Sequence, residues 1–330
     1  MKKIFALLLS AALLVTLLAA CGGGNTTDTD TDTQEPATDA STTQVEEQEP
    51  DTGDASKDDP LNQDEIGEKE LLVVSFGTSY NDSRRETIGA IEKAMQTAFP
   101  DYSVRRAFTS QIIIDHVKDR DGVTIDNVEQ ALERAVNNGV KTLVVQPTHL
   151  MNGLEYEELT DELAKHSDSF EKIAIGDPLL TSDADFEAVM TAITDATKDA
   201  ADGKTAICFM GHGTTADSNS VYSKMQTLLT DKGFNDYYVG TVEATPSLDD
   251  VLAAVQKGNY EKVILRPLMI VAGDHANNDM AGDEDDSWKS TFEKAGYTVD
   301  CQVEGLGQLE AIQQLFVEHT KAAVASAEVE

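Results

Sequence analysis

Residues 71–79 read Leu-Leu-Val-Val-Ser-Phe-Gly-Thr-Ser. The run from Leu71 to Phe76 is apolar apart from one serine, and it ends at Gly77. Apolar side chains at consecutive positions, rather than at alternate ones, predict a strand that is buried on both faces of a parallel sheet. The pattern returns at residues 205–214, where Thr-Ala-Ile-Cys-Phe-Met precedes Gly-His-Gly-Thr. A second pair of similar runs lies at residues 140–147 and 261–268. The sequence therefore predicts two related halves.

Amphipathic segments separate the apolar runs along most of the chain. One of them opens within residues 124–127, carries apolar residues at helical spacing and closes at Gly139. Buried strands that alternate with such helices indicate an α/β fold with parallel sheets covered on both faces. We therefore predict two similar flavodoxin-like domains, residues 68–202 and 203–330, each with a parallel four-stranded sheet flanked by helices, and a cleft between them. The alternative is one large doubly wound sheet.

The first 21 residues have the features of an export signal. Lys2 and Lys3 precede an apolar run that reaches Ala20, and the sequence Leu-Ala-Ala-Cys ends it at Cys21. This ending resembles a bacterial lipobox, so we predict a lipoprotein signal peptide over residues 1–21 and lipidation of Cys21. An ordinary signal peptide or an uncleaved anchor is the alternative. The mature protein would be exported and held by lipid at the outer face of the cytoplasmic membrane, or be periplasmic.

Residues 22–67 are predicted to form a disordered acidic tether. They contain no aromatic residue and almost no large aliphatic one, so ordering them would not bury enough surface to offset the lost entropy. The whole chain has 60 acidic and 25 basic residues, a formal net charge of −35. That balance argues against a nucleic acid partner and against direct docking on anionic lipid. Membrane contact is expected through the N-terminal lipid only.

Three polar side chains follow three successive strands of the second half. His212 comes after the run that begins at Thr205, Glu243 ends Val-Gly-Thr-Val, and His275 follows a run that begins at Lys262. Because the carboxyl ends of parallel strands share one edge of a sheet, these groups can converge in one crevice. Two imidazoles and one carboxylate suit a divalent ion such as Co²⁺, Ni²⁺, Fe²⁺ or Zn²⁺. The spacing predicts a metal site without naming a reaction.

Two other kinds of site are excluded by their missing motifs. The glycines at residues 77 and 211–213 follow strands, but neither stretch completes a Walker sequence or a dinucleotide fingerprint. No Gly-x-Ser-x-Gly nucleophile elbow is present. We therefore expect no bound nucleotide.

Five motifs resemble a known family. They are Leu-Val-Val-Ser-Phe-Gly-Thr-Ser-Tyr (72–80), Arg-Ala-Phe-Thr-Ser (106–110), Phe-Met-Gly-His-Gly (209–213), Val-Gly-Thr-Val-Glu (239–243) and Ala-Gly-Asp-His-Ala-Asn-Asn-Asp-Met-Ala (272–281). Together they resemble the sirohydrochlorin cobaltochelatases of the anaerobic cobalamin pathway, which are class II chelatases. The resemblance covers about residues 68–325 in collinear order.

The resemblance implies an activity and a set of roles. It implies two similar chelatase domains around a tetrapyrrole cleft, and insertion of Co²⁺, the substrate metal, into sirohydrochlorin without ATP. It implies that His212, Glu243 and His275 bind the metal, and that His212 also accepts a proton. An imidazole suits that task, because its ordinary pKa of about 6.5 lets it take up a proton near neutral pH. The ligand set suits cobalt, iron and nickel alike.

Further residues are candidates for supporting roles. His149 follows a first-half strand and is the repeat counterpart of the His275 region, so it could contact the substrate carboxylates or pass metal to the site; the alternative is an ordered loop residue. Arg106 is a candidate partner for the carboxylates of sirohydrochlorin. Asp274 or Asp279 could orient the ring of His275, or could simply cap the loop.

An exported location conflicts with a cytoplasmic biosynthetic pathway. The alternative function is therefore a surface lipoprotein that binds a tetrapyrrole or a divalent metal for uptake on a chelatase scaffold. A generic solute-binding lipoprotein would have no reason to carry the two His and the Glu together. Whether the protein is a homo-oligomer is left open by the sequence.

Overall fold

The computed structural model describes residues 51–329; the predicted signal peptide, Cys21 and most of the predicted tether lie outside the described residues. Strands and α-helices alternate along this part of the chain. The strands are β1 (Lys69–Ser75), β2 (Ser103–Phe108), β3 (Thr142–Pro147), β4 (Lys172–Ile175), β5 (Thr205–Gly211), β6 (Tyr237–Thr241), β7 (Lys262–Pro267) and β8 (Thr298–Cys301). The helices are α1 (Asn81–Glu86), α2 (Ile88–Ala98), α3 (Gln111–Asp121), α4 (Val128–Asn137), α5 (Leu154–Lys165), α6 (Asp183–Thr197), α7 (Ser220–Asp231), α8 (Leu248–Val255), α9 (Trp288–Lys294) and α10 (Glu310–Val329).

The strands form two parallel four-stranded sheets with the same strand order. The first has the order β2-β1-β3-β4 and the second β6-β5-β7-β8. Val73 pairs with Arg106 and Gln146 in the first sheet, and Phe209 occupies the equivalent central position in the second. The predicted α/β fold with two similar sheets is confirmed, and the alternative of one doubly wound sheet is wrong.

Local sequence accounts for these elements. The central strand β1 is buried at every position except Lys69, and β5 is buried throughout, as their unbroken apolar runs predict. Helix α4 begins where its sequence predicts, because the Asn127 side chain accepts from the Gln130 backbone and Gln130 returns a bond to the Asn127 N–H. This capping box satisfies two N–H groups that an open helix end would leave without partners.

The two halves share one hydrophobic cluster, and each half also has a cluster of its own. Leu71 and Val73 of the first sheet belong to the same cluster as Phe209 of the second sheet and Phe316 of α10. Helix α10 closes the second half in sequence, yet it packs on β3, β4, α2 and α6 of the first half. Thr320 of α10 donates to Gln146 Oε1 of β3 at 2.9 Å. The last helix therefore ties the halves together.

Residues 51–67, here called the N-terminal strap, correct the predicted end of the disordered tether. Asp58 and Leu61 are buried against the first half, and the backbone N–H of Arg106 in β2 donates to Leu61 O at 3.1 Å. The Asp58 carboxylate lies 2.6 Å from Arg84 Nε and 2.7 Å from Arg106 Nη1. Asp58 and Glu92 together balance the charges of the buried Arg84 and Arg106, and composition cannot reveal such a pairing.

No helix within residues 51–329 combines the length and the apolar character needed to cross a bilayer.

Candidate metal centre

His212, Glu243 and His275, here called the trio, converge at one edge of the second sheet. His212 directly follows β5, Glu243 lies two residues beyond β6, and His275 lies in the loop after β7. These three strands are neighbours in the order β6-β5-β7, so their carboxyl ends meet. One ligand atom from each side chain lies within 4.8 Å of the others. The structure thus brings together the residues that strand-end reasoning selected.

Backbone contacts hold His212 beside Glu243. The Glu243 N–H donates to His212 O at 2.9 Å. Gly213 adopts a φ of +92°, and a Cβ at this position would come within 2.9 Å of the Ala244 backbone. Only glycine fits this left-handed turn without strain. The Gly-His-Gly sequence therefore serves the path of the chain around His212, not a phosphate loop.

Hydrogen bonds assign the tautomers of both imidazoles. His212 Nδ1 lies 2.8 Å from the carbonyl oxygen of Gly213, and His275 Nδ1 lies 2.7 Å from Asp279 Oδ2. Because these oxygens accept, each Nδ1 carries the proton and each Nε2 keeps a lone pair. Both rings therefore offer Nε2 as a donor atom for a metal.

The choice between the two neighbouring aspartates is decided by geometry. Asp279 contacts the His275 ring across one turn of the π-helical segment Ala276–Met280. Asp274 instead accepts a hydrogen bond from Asn278 Nδ2 at 2.7 Å. Asp279 therefore orients the imidazole of His275, and Asp274 caps the loop. The sequence left both roles open for both residues.

The trio is partly open to solvent. The side chains of His212, Glu243 and His275 are 46%, 58% and 33% exposed. The two imidazole rings meet edge to face, with centroids 4.6 Å apart, and His212 Nε2 lies 4.0 Å from Glu243 Oε1. Three donors on one side of an open site leave positions for water or for the nitrogens of an incoming ligand.

His149 lies outside the trio, in the loop after β3. Both of its ring nitrogens are buried and have no hydrogen-bond partner among the described residues. Burial lowers the pKa of His149 to about 4, and the nearby carboxylate of Glu155 opposes this shift only weakly. The ring is therefore neutral at physiological pH. Its nitrogens do not face open solvent as the predicted contact with substrate would require.

Arg106 corrects a second prediction. Its side chain is 1% exposed, and its guanidinium binds Glu92 and Asp58, with Nη2 2.7 Å from Glu92 Oε2. Burial alone would lower the pKa of Arg106, but these two carboxylates reverse the effect and raise it. Arg106 is an internal ion-pair residue of the first half, and its guanidinium is not exposed to a substrate carboxylate. The place of Arg106 near a strand end in the sequence could not reveal its ion pairs, because its partners Glu92 and Asp58 come from α2 and the strap.

Contacts between the halves at the trio were not apparent from the sequence. Ser83 Oγ of α1 accepts from the Ala272 N–H at 3.0 Å, across 189 positions of sequence. Gly273 lies so close to Thr78 that a Cβ there would come within 3.0 Å of its Oγ1. The first half thus supports the loop that carries His275. The one sequence feature that could have indicated these contacts is Gly-Thr-Ser at residues 77–79, which belongs to the family motif and includes Thr78.

The comparisons with known proteins agree with this geometry. The family model "Cobalt chelatase (CbiK)" matches residues 69–325. The chain is 38% identical over 256 residues to the sirohydrochlorin cobaltochelatase of Salmonella typhimurium, covering 78% of this chain and 96% of that protein. It is 30% identical over 260 residues to the sirohydrochlorin cobaltochelatase CbiKC of Nitratidesulfovibrio vulgaris, covering 78% and 91%.

A solved structure supports the fold alone. SirB from Bacillus subtilis with Fe³⁺ superimposes with a TM-score of 0.57 at 14% identity, covering 80% of this chain and 98% of that one. The family model spans nearly all of the described α/β structure and includes the trio. The chain therefore belongs to the cobalt chelatase family.

Proposed function

We propose that this protein inserts Co²⁺ into sirohydrochlorin, without a nucleotide, as a step of anaerobic cobalamin synthesis. The observation that carries the proposal is the trio, whose donor atoms lie within 4.8 Å of one another at an open sheet edge. The two curated relatives above are both named for this reaction. The substrate metal and the macrocycle are the two ligands that the site must hold.

The trio suits a metal that has to be released. Two neutral imidazoles and one carboxylate bind a borderline divalent ion, yet leave half of an octahedral shell for water. The Asp279 carboxylate holds the His275 ring in one orientation, so binding a metal through Nε2 does not have to restrict a freely rotating side chain. Partial exposure lets the macrocycle nitrogens replace water first and the protein ligands afterwards.

Insertion also has to remove two protons from pyrrole nitrogens. His212 Nε2 accepts one of them in this proposal, because Nδ1 already donates to Gly213 O, and the second leaves to solvent, to which the trio is partly open. Nε2 becomes free to accept this proton only when the ion has moved to the macrocycle, and the protonated ring then cannot take the ion back. Glu243, 4.0 Å away, stabilises the resulting imidazolium.

The test is a cobalt insertion assay with the full-length protein and no added nucleotide. His212→Ala should abolish insertion above the uncatalysed rate, whereas His116→Ala, an exposed change on α3, should not alter it.

His275→Ala should weaken Co²⁺ binding by roughly tenfold or more in calorimetry. Tight tetrapyrrole binding by the wild type with no insertion would refute the chelatase proposal and favour the uptake function. Running the assay with Co²⁺, Fe²⁺ and Ni²⁺ in parallel identifies the metal.

We also propose that the protein acts outside the cytoplasm, anchored by lipid on Cys21. The support is the sequence of residues 1–21, with its basic start, apolar run and Leu-Ala-Ala-Cys ending. Labelling with radioactive palmitate should mark the wild type and not Cys21→Ser. Equal labelling of both proteins, or recovery of the wild type in the cytoplasm, would refute this location.

A further inference from the structure

Arg84 of α1 is fully buried and joins three parts of the chain. Its side chain is 0% exposed, and each of its guanidinium nitrogens donates a hydrogen bond. Nε donates to Asp58 Oδ2 of the strap at 2.6 Å, Nη1 donates to Thr78 O at 3.1 Å, and Nη2 donates to Asn81 Oδ1. A planar guanidinium holds all of these partners at once, which the single nitrogen of a lysine cannot do. Arg84 therefore ties the strap to the loop after β1 and to the start of α1.

The loop of residues 268–275, here called the His275 loop, is contacted by the segment that Arg84 holds. Thr78 lies against Gly273, where a Cβ built on the glycine would come within 3.0 Å of Thr78 Oγ1. Ser83 Oγ accepts from the Ala272 N–H at 3.0 Å. Gly273 and Ala272 lie two and three residues before His275. Both contacts therefore fix the backbone that leads into this imidazole.

The other end of α1 also contacts the second half. Thr87, the residue that follows α1, lies against Gly307, where a Cβ would come within 2.8 Å of Thr87 Cβ. The Gly307 N–H in turn donates to Ile270 O of the His275 loop at 3.0 Å. Contacts from both ends of one short helix thus reach the same loop, and a shift of α1 would displace it.

We infer that Arg84, held by the strap, is a positioning residue for His275. Its planar fork fixes Thr78 and the start of α1, and these fix the backbone of the His275 loop. The inference rests on the proposed function, in which His275 binds the metal, and deepens it. Without the fork, binding a metal would have to order the loop, and that cost would lower the affinity. Asp279 sets the orientation of the ring, whereas Arg84 sets the position of the backbone that carries it.

The experiment compares Arg84→Lys with Arg134→Lys in the full-length protein. Arg84→Lys keeps the positive charge but loses the fork that joins the strap to Thr78. Arg134→Lys makes the same change at another arginine that binds the strap, whose partners Asp64 and Asp126 lie outside α1 and the His275 loop. Arg84→Lys should raise the Kd for Co²⁺ roughly two- to thirtyfold in calorimetry, as expected of a residue that acts on a site without contacting its ligand. Arg134→Lys should leave this Kd unchanged.

A second pair of variants tests the contact with the His275 loop directly. Ser83→Ala removes the hydroxyl that accepts from the Ala272 N–H, and should raise the Co²⁺ Kd by a similar factor. Ser83→Thr keeps a hydroxyl and should retain the wild-type Kd, because the acceptor and not the size of the side chain is needed. All titrations are made where circular dichroism shows each variant folded. The Ser83 pair decides the inference if Arg84→Lys does not fold.

Each contrary result has a distinct meaning. A wild-type Co²⁺ Kd in Arg84→Lys or in Ser83→Ala would overturn this inference, and would leave the proposed function intact where His275→Ala weakens Co²⁺ binding and the wild type inserts cobalt. Equal losses of affinity in Arg84→Lys and Arg134→Lys would show that affinity follows overall stability, which also overturns it. If His275→Ala binds Co²⁺ as tightly as the wild type, the proposed metal site and this inference both fail.

Discussion

At the scale of single residues, Asp279 decides how His275 can act. Its carboxylate lies 2.7 Å from Nδ1 of the imidazole, which holds the proton on that nitrogen and leaves Nε2 available. A ring without this partner would exchange between tautomers and orientations, and binding a metal would have to select one of them. The carboxylate therefore holds the His275 ring with Nε2 free, as the proposed role of a metal ligand requires.

Replacing Asp279 should weaken metal binding without touching a ligand. Asp279→Ala is expected to raise the Kd for Co²⁺ roughly ten- to hundredfold in calorimetry. Asp274→Ala removes the same charge five positions away, where the carboxylate bonds to Asn278 and not to the imidazole, and should change the Kd little. Equal losses in both variants would mean that charge near the site matters and ring orientation does not.

Glu70 is a buried carboxyl group that lacks hydrogen bonds. It is the second residue of β1 and is 0% exposed, neither of its carboxyl oxygens has a hydrogen-bond partner among the described residues, and Arg105 Nη1 lies 3.6 Å from Oε2. Burial raises the pKa of Glu70 to about 7, an effect that Arg105 only partly offsets. The folded protein therefore holds this proton more tightly than the unfolded chain, whose group has a pKa of 4.5.

The sign of the resulting pH dependence follows from linkage. A raised pKa in the folded state costs stability as pH rises from about 4.5 to about 7, because only the unfolded chain releases the proton freely. Glu70→Gln should remove this slope, so that its advantage over the wild type grows across that window, by a few kcal/mol at most. Urea denaturation at several pH values measures the free energy of unfolding of each variant. Glu68→Gln, at an exposed neighbouring position, is the control. If the free energy of unfolding changed with pH equally in Glu70→Gln and the wild type, the raised pKa of Glu70 would be contradicted.

At the scale of elements, the strap and α1 form one unit. Thr52 O accepts from the Asp82 N–H at 2.9 Å, and Gly53 O accepts from Asn81 Nδ2 at 3.2 Å. Asp58 binds Arg84 at the other end of the same short helix. Helix α1 also supplies Ser83, which accepts a hydrogen bond from the loop that carries His275, so the strap stabilises a helix that contacts this loop. The strap itself, residues 51–67, precedes the part of the chain that matches the family.

Removing the Asp58 charge should destabilise the protein strongly. Asp58→Asn leaves Arg84 without its carboxylate and Arg106 with Glu92 alone, and breaking a buried pair costs about 3–5 kcal/mol. Asp64→Asn, in the same strap but 62% exposed beside Arg134, should cost less than about 1 kcal/mol. Urea denaturation of both variants gives the comparison. Similar small losses would show that the strap is not anchored by Asp58.

At the scale of the whole molecule, the halves depend on each other. Phe316 and Thr320 of α10 lie in a core that includes the first sheet, and Thr197 of α6 shares a 2.9 Å hydrogen bond with the Tyr237 hydroxyl of β6. Either half alone would expose much of this shared core to water. The two similar units predicted from the repeat are thus joined through helices at their ends.

A single unfolding transition is the expected consequence. Trp288 is the only tryptophan and lies buried in the second half, so its fluorescence reports that half alone. Far-ultraviolet circular dichroism reports the helices of both halves. The two signals should give coincident urea transitions because the core is common. A dichroism transition that separates into two steps, only one of which matches the fluorescence, would show that the halves fold independently.

Much of the fold followed from patterns that are local in sequence. Unbroken apolar runs such as residues 71–74 specify strands buried on both faces, and Asn127 caps a helix start through its own side chain. The convergence of His212, Glu243 and His275 followed from one further rule, that the ends of parallel strands meet. The strap was mistaken for tether, because it is held by contacts of Asp58, Leu61 and its backbone with distant residues, and composition does not reveal these contacts.

The sequence by itself determined the class of fold, its internal repeat and the three donor side chains, since each depends on periodicity or on position relative to a strand. Only the tertiary structure decided that Asp279 and not Asp274 orients His275, that Arg106 is paired with Asp58 and Glu92, and that Ser83 supports the His275 loop. The pairings that depend on distant residues form between segments that meet only when the sheets and α10 pack. Even the nearby Asp279 needs the turn at Ala276–Met280 to reach the imidazole. Such contacts depend on distances that folding creates, and local periodicity does not encode them.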